Sequence, residues 1–280
     1  MDSSLHFGGP TAHSAAACVG VFDSGVGGLS VLRALHDRMP GVPLLYVADS
    51  GHAPYGERSD AYVMARSRCI VEHLLAQGAQ GVVIACNTAT AVAVRELRSA
   101  WPSVPIIGVE PGLKPALAVT RNRRIGVMAT PSTLASAKFQ ALIDAHADGA
   151  TVVARPCPGL AALIERGELD APALIEAVTE HTAALRAAQV DTVVLGCTHY
   201  TFVHDHIQRA MGTDVRIIDT ADAVARHSAE RLRTFPIPPI ARAPLLQTTG
   251  EVERLRQIAS AWLPFACSVE RMPAAAVRSA

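Results

Sequence analysis

Two short apolar strands that each run into a cysteine fix most of what this chain can fold into. The first is Gly81-Val82-Val83-Ile84-Ala85-Cys86-Asn87-Thr88, and the second is Thr192-Val193-Val194-Leu195-Gly196-Cys197-Thr198-His199. Aliphatic runs of this length without polar alternation suit strands buried on both faces, as in parallel sheets. The Ala-rich segment 88–100 behind the first reads as a helix, so Cys86 falls on a strand-to-helix turn. Unpaired backbone N–H groups and the positive end of the helix dipole favour negative charge at such a turn, whether a thiolate or a bound carboxylate. One cysteine so placed is more often a small buried side chain. The second copy, about one small domain further along, points to a paired role.

The rest of the chain repeats the strand-then-helix rhythm. A strand at 18–22 ends in Asp23-Ser24-Gly25-Val26-Gly27-Gly28, followed by a helix at 29–39. The glycines suggest a tight turn that turns backbone N–H groups toward an anion, but G-x-G-G is not the dinucleotide fingerprint. A strand at 44–48 leads into Asp49-Ser50-Gly51-His52-Ala53-Pro54-Tyr55-Gly56-Glu57, and a helix at 59–77 follows. After a strand at 105–109 the pattern restarts, with strands at 124–129, 151–154, 190–195, 215–218 and 245–248. The intervening helices are placed at 134–145, 159–166, 172–188, 200–211 and 220–233, and a last one at 251–263 leaves an Ala- and Arg-containing tail. This alternation predicts an α/β chain of two similar parallel-sheet domains related by pseudo-twofold symmetry, with a cleft between them and one cysteine on each wall. The expected boundaries are a disordered extension at 1–17, a first domain of 18–112 plus 221–280 carrying Cys86, and a second of 113–220 carrying Cys197.

Charge narrows the partners. Lys plus Arg and Asp plus Glu number 25 each, and the only basic run is Arg121-Asn122-Arg123-Arg124, so nucleic acid and anionic membranes gain no electrostatic support. No stretch reaches the ~18 apolar residues of a spanning helix, and the expected location is cytoplasmic. The six cysteines, at 18, 69, 86, 157, 197 and 267, form no C-x-x-C pair and are expected to be reduced thiols. No metal is expected, because the His199, His204 and His206 run lacks partners at ligand spacing. No cofactor is expected either: the only lysines, Lys114 and Lys138, have no convincing phosphate loop beside them.

Two thiols facing each other suit a reaction in which one takes a proton and the other returns one from the opposite side. At the α-carbon of an amino acid that sequence inverts the stereocentre. Asp23, Asp49, Glu165 and His199 are the candidates for adjusting which thiol is ionised, His199 foremost because it is two residues from Cys197. Ser24, Asn87, Thr88, Thr133 and Thr198, with helix N-terminal N–H groups, are candidates for holding carboxylates and an ammonium group.

Four motifs in register, Val21-Phe22-Asp23-Ser24-Gly25-Val26-Gly27-Gly28-Leu29-Ser30, Ala53-Pro54-Tyr55-Gly56, Ala85-Cys86-Asn87-Thr88-Ala89 and Leu195-Gly196-Cys197-Thr198-His199-Tyr200, resemble bacterial glutamate racemase from about residue 19 to 265. The resemblance implies a cofactor-independent, two-base interconversion of L- and D-glutamate that supplies D-glutamate for peptidoglycan. It implies Cys86 acting on the D enantiomer and Cys197 on the L, with Asp23, Asp49, Glu165 and His199 as auxiliary groups. The implied substrate contacts are Asp23-Ser24, Tyr55-Gly56, Asn87-Thr88 and Thr198-His199. The assembly expected from it is a homodimer or a monomer–dimer equilibrium. Thr201 departs from the proline usual after the His-Tyr pair. An aspartate racemase is the nearest alternative, disfavoured by His199, where those enzymes tend to carry an acidic residue. A gyrase-binding role and a cysteine hydrolase are further alternatives, the latter leaving one cysteine redundant.

Overall fold

The computed structural model describes residues 17–147, 149–235, 237 and 242–273. Residues 1–16 of the expected extension, most of the proline-rich link at 236–239 and the end of the tail lie outside them. Among the described residues, ten strands form two sheets. They are β1 (Cys18–Asp23), β2 (Leu44–Ala48), β3 (Ala79–Ile84), β4 (Ile106–Gly108), β5 (Arg124–Ala129), β6 (Thr151–Pro156), β7 (Thr192–Leu195), β8 (Arg216–Ile218), β9 (Leu245–Thr248) and β10 (Ser268–Arg271). One sheet runs β10-β9-β2-β1-β3-β4 and the other β6-β5-β7-β8, and every pairing is parallel.

The order β2-β1-β3-β4 in the first sheet is repeated as β6-β5-β7-β8 in the second. The strands preceding Cys86 and Cys197, β3 and β7, therefore occupy equivalent places, each beside the first strand of its half. β1, β2 and β7 are buried along their whole length, which is why their sequences show no polar alternation. The largest apolar cluster includes Val21, Tyr46 and Val83 of the first sheet and Met128, Val193 and Leu195 of the second. The helix Ala221–Leu232, which follows β8, packs Val224, Ala225 and Leu232 into the same cluster as Leu32 and Leu35 of the helix Leu29–Arg38. The two lobes are thus joined by core as well as by chain.

The structure departs from the sequence pattern in four places. A helix at Leu113–Val119 opens the second half, where only a restart was expected; its Pro115 sits in the first turn, where a missing N–H costs no hydrogen bond. The helix expected at 134–145 is two, Pro131–Ala135 and Ala137–His146, because Ser136 is extended and caps the second through Phe139 N–H. The helix expected at 200–211 begins as a 3-10 turn, Thr198–Val203, and becomes α-helical only at His204–Met211. The tail carries β10, an edge strand paired only with β9 and largely exposed, so it lacks the apolar run that marks the inner strands.

Candidate active site

Both thiols stand at the carboxyl ends of their strands, where parallel α/β sheets place ligands. Cys86 is the N-cap of the helix Asn87–Ala100, and its Sγ accepts the Ala89 N–H at 3.4 Å. A thiolate here would gain that hydrogen bond and the dipole of a 14-residue helix. Cys197 precedes the 3-10 turn and does not cap an α-helix, so the two turns are equivalent in the sheet but not in local backbone. Its Sγ lies 3.8 Å from His199 Nδ1 instead. Cys86 is 5% exposed and Cys197 6%.

A chain of polar contacts links the two. Cys86 Sγ is 3.8 Å from Ser24 Oγ, and Ser24 donates to Asp23 Oδ1 at 3.2 Å. The other Asp23 oxygen accepts Thr198 Oγ1–H at 2.8 Å, from the residue directly after Cys197. His199 then contacts Glu165 Oε1 through Nε2 at 2.5 Å, and that carboxylate also accepts the Val26 N–H at 2.6 Å and Ser50 Oγ–H at 3.3 Å. The glycine loop does present an N–H to an anion, as its sequence suggested, but the anion is Glu165 of this chain. A Cβ on Gly25 would fall 1.7 Å from Glu165 Oε1, and one on Gly27 would fall 2.4 Å from His199 Nδ1. Those two glycines exist to let the second lobe close down.

Burial pushes the Asp23 carboxyl up to about 6, outweighing the pull of His199 and of its hydrogen bonds. Burial alone would lower His199, but its contacts with Cys197 and Glu165 and the charge of Asp23 outweigh that and hold it well above its usual value. Burial and the Asp23 carboxylate both raise the Cys86 thiol, with a further contribution from Cys197. The electrostatics are therefore lopsided: Cys197 faces an imidazolium, Cys86 a carboxylate.

Asp49 is differently employed. Its carboxylate is fully buried, accepts Arg66 Nε and Nη2 at 3.0 and 2.9 Å, and also takes hydrogen bonds from Tyr55 OH at 2.5 Å and Thr249 Oγ1 at 2.8 Å. Neither thiol is among these hydrogen-bond partners. Its work is to fix Tyr55, whose neighbour Gly56 packs so closely on Thr130 that a Cβ would meet its side chain at 2.6 Å. Thr88, Thr130 and Thr133 form a hydroxyl cluster between the lobes, with Thr88 to Thr130 at 2.9 Å, Thr130 to Thr133 at 2.9 Å and Thr88 to Thr133 at 3.4 Å. Asn87 is 4% exposed, and both atoms of its amide lack a protein partner. A buried amide left bare on a ligand-binding edge points to a ligand that completes it.

Arg66 and Thr130 escaped the reading of the sequence. Arg66 had a signal: it shares with Val63, Ile70 and His73 the buried face of the helix Asp60–Ala76, a place that suits a cation only when an anion is buried with it. Thr130 had only its N-cap position. Among the remaining cysteines, Cys18, Cys69 and Cys157 are buried, and among the described residues none of the six forms a disulfide. His204 pairs with Asp205 and His206 with Asp170, each at 3.2 Å, and among the described residues no group of three or more acidic, His or Cys side chains could hold a metal ion.

Two outcomes follow from this charge burial. Arg66→Met strands the Asp49 charge and lowers unfolding free energy by about 3–5 kcal/mol in urea melts, whereas Arg66→Met combined with Asp49→Asn recovers a large part of the loss. Because folding raises the Asp23 pKa above its ordinary value, folding favours the protonated form. That stability is fully present below the unfolded pKa of 3.8 and is lost as pH rises through about 6. Asp23→Asn should therefore flatten the decline of stability between about pH 4 and 7, read from urea midpoints across that range.

The sequence pattern of the Asp/Glu/Hydantoin racemase family matches residues 29–228. The glutamate racemase of Ectopseudomonas mendocina is 49% identical over 248 residues, covering 86% of this chain and 93% of that protein. The crystal structure of glutamate racemase isoform RacE1 from Bacillus anthracis superposes with a TM-score of 0.82 at 32% identity, over 93% of this chain and 98% of that one. Escherichia coli glutamate racemase, crystallised with L-glutamate and the activator UDP-MurNAc-ala, superposes with a TM-score of 0.81 at 28% identity, over 91% and 99%. With the paired strand-to-cysteine turns, the pattern match and this similarity along nearly the whole chain, the protein belongs to the Asp/Glu/hydantoin racemase family.

Proposed function

We propose that the chain is a glutamate racemase that interconverts L- and D-glutamate with no cofactor, Cys86 and Cys197 serving as its two acid/base groups. The reading rests on one observation: two buried thiols end equivalent strands of two sheets and are tied through Asp23 and Thr198 into one polar chain. Similarity to glutamate racemases along nearly the whole chain supports the substrate, and the product would serve peptidoglycan synthesis.

In the L-to-D direction Cys197 removes the α-proton, since the imidazolium of His199 stabilises negative charge on its sulfur. Cys86, kept protonated by burial and by Asp23, donates to the opposite face of the carbanion. One C–H bond breaks and one forms, and each sulfur ends in the other's starting state. The N–H groups at the start of the helix Asn87–Ala100, with the bare Asn87 amide and the Thr88 hydroxyl, would take a substrate carboxylate and so stabilise the charge spreading onto it. Asp23 would accept the ammonium, which offsets the cost of keeping that carboxylate ionised. Tyr55, Gly56, Thr133 and Thr198 would complete the wall, and Asp49 would act through Tyr55. Glutamate has to reach thiols that are closed off, so we further propose that the lobes 18–112 with 221–280 and 113–220 separate to admit it.

Cys86→Ser and Cys197→Ser should each lower kcat by about 10²–10⁴-fold, as the alcohol is too weak an acid to be present as its anion. Circular dichroism of L-glutamate with enzyme and no added cofactor measures this. Full activity in either variant contradicts the two-thiol assignment.

A further inference from the structure

Among the described residues, two cavities touch the walls of the closed site. One meets Asn87 and Thr133 but offers only about 10 Å³, room for a single water. The other, of about 370 Å³, lies in the seam between the lobes. The first lobe supplies Val26, Ser50 and Pro54, on the same loops that carry Ser24 and Tyr55, and the second supplies Ala162 and Glu165. Its inner wall is the Glu165 carboxylate, and behind that stand His199 and Cys197.

Four charged residues line this cavity: Glu165, Arg166, Glu251 and Arg254. Glu165 is paired with His199, and Glu251 lies 3.9 Å from Arg271. Arg166 and Arg254 are exposed and make no ion pair among the described residues. One comes from each lobe, so the mouth presents two uncompensated guanidinium groups across the seam. The more cationic groove nearby, lined by Arg58, Arg95, Arg98 and Lys138, is largely committed: Arg58 stacks over Tyr62, Arg98 donates to the Ile106 carbonyl and Lys138 pairs with Glu110. On its site-facing side it shares Ala91, Ser136 and Lys138 with the cavity too small for a substrate.

We propose that the seam cavity is the substrate's access route, and that Arg166 and Arg254 form a capture subsite at its mouth for amino-dicarboxylates. Guanidinium groups suit this role because each can take a carboxylate in a two-point contact, and a cationic mouth raises the local concentration of an anion. Glu165 is then the inner gate, since its hydrogen bonds to Val26 N–H and Ser50 hold the second lobe against the first at the point where the cavity ends.

The inference rests on the racemase reading, and kcat/KM for L-glutamate against ionic strength separates the two. The native enzyme should lose kcat/KM as salt rises. Arg166→Gln and Arg254→Gln should each lower kcat/KM about three- to tenfold, and the double variant should lower it further and flatten the salt dependence. Arg254→Lys, which keeps the charge but not the two-point contact, should recover part of the loss and keep the salt dependence, and Arg95→Gln should change nothing. An active native enzyme with salt-independent kcat/KM, or a double variant that matches it, overturns the capture subsite alone, as does a loss confined to Arg95→Gln. A native enzyme that does not turn over glutamate at all overturns the racemase reading and this inference with it.

Discussion

The hydrogen bond from Thr198 to Asp23, 2.8 Å long and buried, is the contact on which the site depends. It joins the residue after Cys197 to the last residue of β1, and so sets where one thiol stands relative to the other. An aspartate at this position is costly, because a buried carboxylate loses its hydration and recovers it only through hydrogen bonds. Asp23 has three donors, from Ser24, Gly25 and Thr198, and still titrates near 6. The remaining demand for a positive partner is what a substrate ammonium would satisfy.

Around that contact the lobes are closed by complementary charge and by missing side chains. Glu165 reaches from the second lobe to the Val26 N–H, and Gly25 and Gly27 leave room for it and for His199. The Asp49–Arg66 pair performs the matching task within the first lobe, fixing Tyr55 from behind. Breaking such buried pairs costs more than their net contribution, so these residues secure geometry more than stability. The asymmetry between the thiols arises from the same groups: an imidazolium beside one and a carboxylate beside the other make the two sulfurs unequal before substrate arrives.

Much of this was legible in the residues. The strand before Cys86 is an unbroken apolar run followed by an Ala-rich helix, and the structure places the turn between Ile84 and Asn87. The turn after Cys197 was less legible, since Thr198 and His199 are drawn across the seam to Asp23 and Glu165 and the backbone there is 3-10. Long-range partners were beyond local pattern: Glu165 is a candidate for adjusting the thiols, but it lies 139 positions from Val26 and nothing around it in sequence ties it to the glycine loop. β10 escaped because an exposed edge strand carries no apolar alternation. Asp49 stands among the acid/base candidates as a carboxylate that could adjust a thiol, and nothing near it in sequence reveals Arg66 as its partner.

The central claim is that protons enter and leave the α-carbon through two separate sulfurs. Incubating the enzyme with L-glutamate in D₂O, without added cofactor, and following both enantiomers by mass spectrometry during the first few per cent of turnover tests it most directly. Two bases predict one deuterium at Cα of the D-glutamate formed and none in the recovered L-glutamate, because the abstracting thiol does not return its proton. Deuterium appearing in L-glutamate as fast as in the product, or turnover only when pyridoxal phosphate is added, would contradict the account.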